Sequence, residues 1–197
     1  GIAITSQPTN VNECVGGTDQ MTVTITGGSG TITYQWQQSD DGLSGWSNAV
    51  GSGATTSIFT PPSTAPGSTY YRVLVNATNN GCGQAVSTIA IAVISPDLNV
   101  TTQPTNVNEC IGGTDQMNVA ISGGSGTISY QWQASPDGTS GWSNASGTGS
   151  TTPVFTPPST AAGVTYYQVV INASNSGCDQ VVSNIVTATI VADIVVA

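Results

Sequence analysis

The phrase QPTNVNEC at 7–14 returns unchanged at 103–110, and the recurrence runs far beyond it. An offset of 96 carries Cys14 onto Cys110, Trp36 onto Trp132, Trp46 onto Trp142 and Cys82 onto Cys178, with no insertion or deletion. Of the 90 positions in 5–94, 63 are identical to their counterparts in 101–190. A chain of 197 residues built this way holds two domains, 1–95 and 96–192, each of a size that supports one small core. "DIVVA" at 193–197 aligns with "DLNVT" at 97–101. The expectation is that 193–197 opens the first strand of a third repeat, and that the chain is a window on a longer array.

Within a copy the hydrophobic pattern has period two. Met21, Val23 and Ile25 share one face of "MTVTITGG", and Ile32, Tyr34 and Trp36 share one face of "TITYQWQ". "YYRVLVNA" and "STIAIAVI" alternate in the same way, and "GGSG", "DDG", "PPSTAPG" and "NNGCG" punctuate the runs. No stretch keeps a 3.6-residue period. About seven short antiparallel strands per copy, with an aromatic-rich third strand, predict an all-β fold of two tandem immunoglobulin-like sandwiches. The swaps Val15/Ile111, Ile58/Val154 and Val75/Ile171 nearly conserve volume and are expected in the core. Thr24/Ala120, Thr33/Ser129 and Gln38/Ala134 are expected on exposed faces, and Trp36 and Trp132 inside.

Charge narrows the partners. One basic residue, Arg72, stands against ten acidic ones, with no His, for a net charge of −9. Such a chain cannot neutralise phosphates, which argues against nucleic acid and anionic membrane surfaces. No apolar run reaches the length that spans a bilayer, so membrane insertion is not expected. Acidic residues are few as well, leaving a surface of Thr, Ser, Asn, Gln and Gly. Four cysteines in two equivalent pairs suit disulfides in an oxidising compartment. Together these predict an extracellular protein.

The succession CVGG, MTVTITGG, YQWQ, TPPST, TYYRVLV, NGCG resembles the Ig-like repeats of large surface adhesins and gliding-associated proteins of Bacteroidota-type bacteria. The matching positions are Cys14, Gly16, Trp36, Tyr70, Tyr71, Gly81 and Cys82, with their equivalents 96 residues on. The resemblance implies tandem, non-catalytic modules at the cell surface. It departs from antibody-type domains, whose cysteines lie inside facing strands; here the cysteines sit at strand ends.

Chemistry is scarce. Without His or Lys there is no ready base for a Ser or Cys nucleophile. The carboxylate pairs Glu13/Asp19 and Glu109/Asp115 flank a strand turn, where acids are ordinarily solvated, so neither is assigned to catalysis. No cofactor is implied. Zinc is disfavoured by the absence of His and by cysteines 68 apart in each copy. Asp40, Asp41 and Asp137 are weak calcium candidates, because Asp-Gly is also common turn chemistry and Pro136 replaces Asp40 in the second copy. The loops carrying Asp41, Trp46, Asp137 and Trp142 are the candidate ligand surface; exposed, the tryptophans would stack on sugar rings, whereas buried they would cover the sheet edge.

The cysteines admit two pairings. Within a copy, Cys14–Cys82 and Cys110–Cys178 would each close a long loop. In the predicted sandwich, however, these positions lie at opposite poles, roughly 25 Å apart along a strand of about eight residues, and a disulfide needs Cα atoms within about 7 Å. In a head-to-tail array Cys14 would instead meet Cys178, Cys110 would await a third copy and Cys82 a preceding one. The reading is a structural repeat of a long extracellular fibre or adhesin stalk whose partners are neighbouring repeats, with glycans or surfaces bound elsewhere in the full protein. Two alternatives are a carbohydrate- or protein-binding module, and a subunit that polymerises by donating its terminal strand.

Overall fold

The computed structural model describes residues 1–78 and 83–193, and every regular element in them is a strand. The chain divides into two units. The first comprises Gly1–Pro96 together with Asn175–Cys178, and the second Asp97–Ser174 with Asp179–Ala197.

In the first unit the strands are β1 (Ile2–Ser6), β2 (Val11–Cys14), β3 (Met21–Thr22), β4 (Thr24–Gly27), β5 (Ile32–Ser39), β6 (Ser47–Asn48), β7 (Ile58–Phe59), β8 (Gly67–Ala77), β9 (Ala85–Val86) and β10 (Ala90–Ser95). The larger sheet has the order β2-β10-β8-β5-β6, with β9 also on β8. The pairs β1–β4 and β3–β7 supply the remaining ladders. The second unit repeats this with β11 (Asn99–Thr102), β12 (Val107–Cys110), β13 (Met117–Asn118), β14 (Ala120–Ser122), β15 (Ile128–Ser135), β16 (Ser143–Asn144), β17 (Val154–Phe155), β18 (Gly163–Ala173), β19 (Val181–Val182) and β20 (Val186–Val191). Each unit is an immunoglobulin-like sandwich.

One pairing per unit is parallel rather than antiparallel, and the repeated phrase explains it. β1 pairs with β4, but buried Pro8 has no N–H to extend that ladder. The chain therefore crosses to the other sheet, where β2 runs parallel to β10 with Val11 opposite Ala92 and Cys14 opposite Ser95. Side chains flanking the crossover satisfy the backbone it leaves behind. Gln7 Oε1 accepts the Thr88 N–H at 2.9 Å, and Asn10 Oδ1 accepts the Ile91 N–H at 3.0 Å. Gln103 and Asn106 repeat both bonds with Asn184 and Thr187. QPTN is thus a strand switch, and it delivers Glu13 and Cys14 to the end of a sheet.

Cores form where the alternation points. Trp36 is wholly buried, stacks on Phe59 with ring centroids 5.2 Å apart and donates its indole N–H to Thr56 O at 2.9 Å. Met21, Val73 and Val75 complete the centre. Trp132, Phe155, Met117, Val169 and Ile171 do the same in the second unit. Three expectations need correction. Ile58 and Val154 are 48% and 40% exposed, because in these two-residue strands the adjacent Phe takes the inward position. Ile111 is 39% exposed, for a reason given below. Gln38 and Ala134 are half-buried rather than exposed; Gln38 accepts the Val50 N–H, and Ala134 packs on the core.

Candidate functional site

The site is the turn that follows β2. Gly16 adopts φ +82°, a left-handed conformation that glycine takes without strain. The Gly17 N–H returns to Cys14 O at 3.0 Å, and the Gly16 N–H donates to Ser63 O at 2.9 Å. Ser63 Oγ donates to Gly17 O at 2.7 Å. A Cβ at Gly17 would overlap the Glu13 carboxylate, so glycine here makes room for that side chain. Glu13 is wholly buried. Its Oε2 accepts the Asp19 N–H at 2.9 Å, while Oε1 has no partner. Burial pushes its pKa up, the Asp19 amide pulls it down and the Asp19 charge pushes it up. The expectation of a solvated carboxylate is overturned for Glu13. The signal in the sequence was the pair of glycines three and four residues beyond the acid, present in both copies.

Onto this turn the first unit folds the segment Asn175–Cys178, borrowed from the loop after β18. The Cys14 N–H donates to Ser176 O at 2.9 Å, and the Thr18 N–H donates to Ser176 Oγ at 3.1 Å. Gly177, at φ +73°, lies against the backbone of Gly17 and Cys14. Cys14 and Cys178 are bonded through sulfur at 2.05 Å, with Cα atoms 4.9 Å apart. Neither pairing within a copy is therefore formed: Cys14 takes Cys178, and Cys110 is a free, exposed thiol. Cys82 lies outside the described residues, as do residues 194–197 of the expected third repeat.

The other candidate residues lie elsewhere. Asp41 holds its own loop: Oδ1 accepts from the Leu43 and Ser44 N–H groups at 2.8 Å and from Ser39 Oγ, and Oδ2 accepts from Ser44 Oγ. These bonds, the Ser44 amide foremost, hold its carboxyl far below the usual range. Asp137 makes the same set with Thr139, Ser140 and Ser135. Among the described residues no three potential metal ligands cluster. Trp46 is half-buried, with the Arg72 guanidinium 4.2 Å over its ring. Trp142 is half-buried too, and Gln168 stands where the first copy has Arg72, bonded to Gln133. A cavity of about 380 Å³ in the second unit, bordered by Ala134, Pro158, Tyr167 and Ile190, contains no carboxylate. Among the described residues no helix is long and apolar enough to cross a membrane.

No curated protein matches the chain. Solved structures do match in fold. Sidekick-1 immunoglobulin domains 1–4 align at TM-score 0.51 and 13% identity, over 96% of this chain and 48% of that one. The titin I-band fragment I67–I69 aligns at TM-score 0.55 and 13% identity, over 97% of this chain and 66% of that one. The eight N-terminal Ig domains of the Down syndrome cell adhesion molecule align at TM-score 0.50 and 13% identity, over 96% of this chain and 24% of that one. The chain thus spans about half the length of the Sidekick-1 fragment and less than two thirds of the titin fragment. At these identities the likeness is one of fold: tandem Ig domains. The model of one family matches twice, over 5–96 and 100–192, and the chain belongs to that family, the domain of unknown function DUF8696.

Proposed function

We propose that this chain is a non-catalytic structural repeat of a long extracellular fibre or adhesin stalk, and that its disulfide carries tension around the folded domains. One observation carries the reading: Cys14 is bonded to Cys178 across a sequence separation of 164. Tension entering at the N-terminus passes from Cys14 straight to Cys178 through the sulfur bridge. The residues between them, which include most of both cores but not Val11 of β2 or Val186, Ala188 and Ile190 of β20, are outside the covalent path and cannot be stretched. The charge-poor polar surface, the scarcity of acid–base groups and the tandem Ig fold support a mechanical rather than a chemical role. The resemblance in sequence supports a bacterial cell surface as the setting. Saturated Asp41 and the cation over Trp46 weigh against the ligand-binding alternative.

Force spectroscopy on the chain, held by its two ends, tests this. The oxidised protein should release only short segments outside the bridge. After reduction it should release a further roughly 500–600 Å of contour, from about 3.4 Å per residue over the bridged segment. Release of that length before reduction would overturn the proposal.

A further inference from the structure

The second unit carries the same turn, and among the described residues no segment is hydrogen-bonded onto it as Asn175–Cys178 is onto the first. Gly112 is at φ +84°, and the Gly113 N–H returns to Cys110 O at 3.0 Å. The Gly112 N–H donates to Ser159 O at 2.9 Å, and Ser159 Oγ donates to Gly113 O at 2.7 Å. Glu109 Oε2 accepts the Asp115 N–H at 2.8 Å, and Glu109 Oε1, like Glu13 Oε1, is buried without a partner. Every bond that shapes the turn after β2 is therefore present in its counterpart, so the seat is formed before anything occupies it. What differs is cover. Glu13 and Cys14 are fully buried, whereas Glu109 is half-buried and Cys110 exposed. Ile111, at 39% exposed, is the apolar side chain beside that open thiol.

We propose that the Cys110–Thr114 turn is a docking site for the Asn-Asn-Gly-Cys segment, residues 79–82, of a second copy of this chain, closed by a Cys110–Cys82 disulfide. The first unit supplies the template, because the same residues there hold Asn-Ser-Gly-Cys at 175–178. The donor sequence keeps the glycine that the close backbone approach requires, and the cysteine after it. Asn80 stands in place of Ser176 and offers a carboxamide oxygen to the Thr114 N–H, as Ser176 Oγ serves Thr18. Each docking uses one Cys110 and one Cys82 and leaves one of each unused on the linked pair, so the linkage propagates from chain to chain. Closing the bridge needs a two-electron oxidant, which a small-molecule disulfide supplies. The Cys110 and Cys82 thiols become one disulfide, their two hydrogens pass to the sulfurs of the oxidant as its own S–S bond breaks, and it leaves as two thiols. The inference rests on the structural reading above but concerns a different bond.

The experiment is incubation of the full chain in a buffer of oxidised and reduced glutathione, read by non-reducing electrophoresis and peptide mapping. The expected result is a ladder of linked chains containing a Cys110–Cys82 peptide, with Cys14–Cys178 intact in every rung. Cys110→Ser should abolish the ladder, and Gly81→Ala should slow it several-fold. A chain that stays monomeric with glutathione on Cys110, a ladder joined through Cys110–Cys110, or a ladder indifferent to Gly81→Ala would each overturn the docking site. None of those outcomes touches the Cys14–Cys178 bridge, whose role stands or falls in the force measurement.

Discussion

Gly177 lies flat on the backbone of Gly17, with the place where a Cβ would stand only 2.7 Å from Gly17 Cα and 2.8 Å from Cys14 O. The sulfur bridge depends on that approach. Gly177→Ala would introduce both the overlap and a side chain at φ +73°, where a left-handed backbone alone costs about 1–2 kcal/mol. The variant should show a larger fraction of free thiol at Cys14 and Cys178, measured by thiol titration, and lower stability in chemical denaturation. A fully bonded variant of unchanged stability would show that the approach is not required.

The bridge itself should stabilise the chain strongly. Its sequence separation of 164 corresponds to about 5 kcal/mol on the chain-entropy model. Cys14→Ser combined with Cys178→Ser should lower the free energy of unfolding by an amount of that order. Equilibrium denaturation without reductant measures it, and a loss below about 1 kcal/mol would contradict the model.

Glu13 makes stability depend on pH in the direction opposite to most carboxylates. Its folded pKa is raised above the ordinary 4.5 because burial disfavours the charged form. The folded state therefore binds more protons in the window between 4.5 and the raised value, and stability falls as pH climbs through it. The stability is fully present below 4.5. Asp41 and Asp137 act the other way: their contribution is present above the unfolded value of 3.8 and is lost only as pH falls below it. Glu13→Gln should flatten the upper window and leave the acid limb unchanged. Denaturation curves from pH 3 to 8 decide it, and a variant with the slope of the parent would contradict the assignment.

Trp36 fills the centre of the first core, stacked on Phe59 and bonded to Thr56 O. Trp36→Ala should cost about 3–5 kcal/mol, the usual penalty for emptying an aromatic site in a packed interior. Trp132→Ala should cost about the same, because Phe155 and Thr152 repeat both contacts. A loss under about 1 kcal/mol in either would remove the residue from its core.

Trypsin has one basic residue to attack, Arg72. It lies within β8, opposite Gln37 of β5, donates to Gln37 Oε1 at 2.9 Å and covers Trp46. A protease must open that ladder before it can cut. The native chain should survive limited digestion and be cleaved after Arg72 only under denaturing conditions, as mass spectrometry would report. Arg72→Gln, the residue of the second copy, should leave the fold intact and shift Trp46 emission, since the cation over the ring is gone.

Much of this protein is legible in its sequence. The 96-residue offset, the period-two runs around Trp36 and the glycine-rich turns specify two copies of one sandwich, because alternation and turn chemistry are local properties. That β2 and β12 end at Cys14 and Cys110 was legible as well, since a Gly-Gly pair begins two residues beyond each cysteine. The reach of QPTN was not: that Pro8 ends one ladder and sends β2 parallel to β10 depends on which sheet edge is open. The two-residue strands were misread for a similar reason, since Ile58 and Phe59 are both apolar and only the opposing layer selects the one that turns inward.

The tertiary structure decided how the two identical turns differ in burial and cover. Glu13-Cys14 and Glu109-Cys110 are the same residues in the same local conformation, yet one pair is buried and bonded and the other open. The Cys14–Cys178 pairing followed from the sequence only with an order of the copies assumed; the contact itself comes from residues 175–178, more than 150 positions away from the turn they cover. Local sequence builds the seat twice; the long-range course of the chain determines which seat is filled.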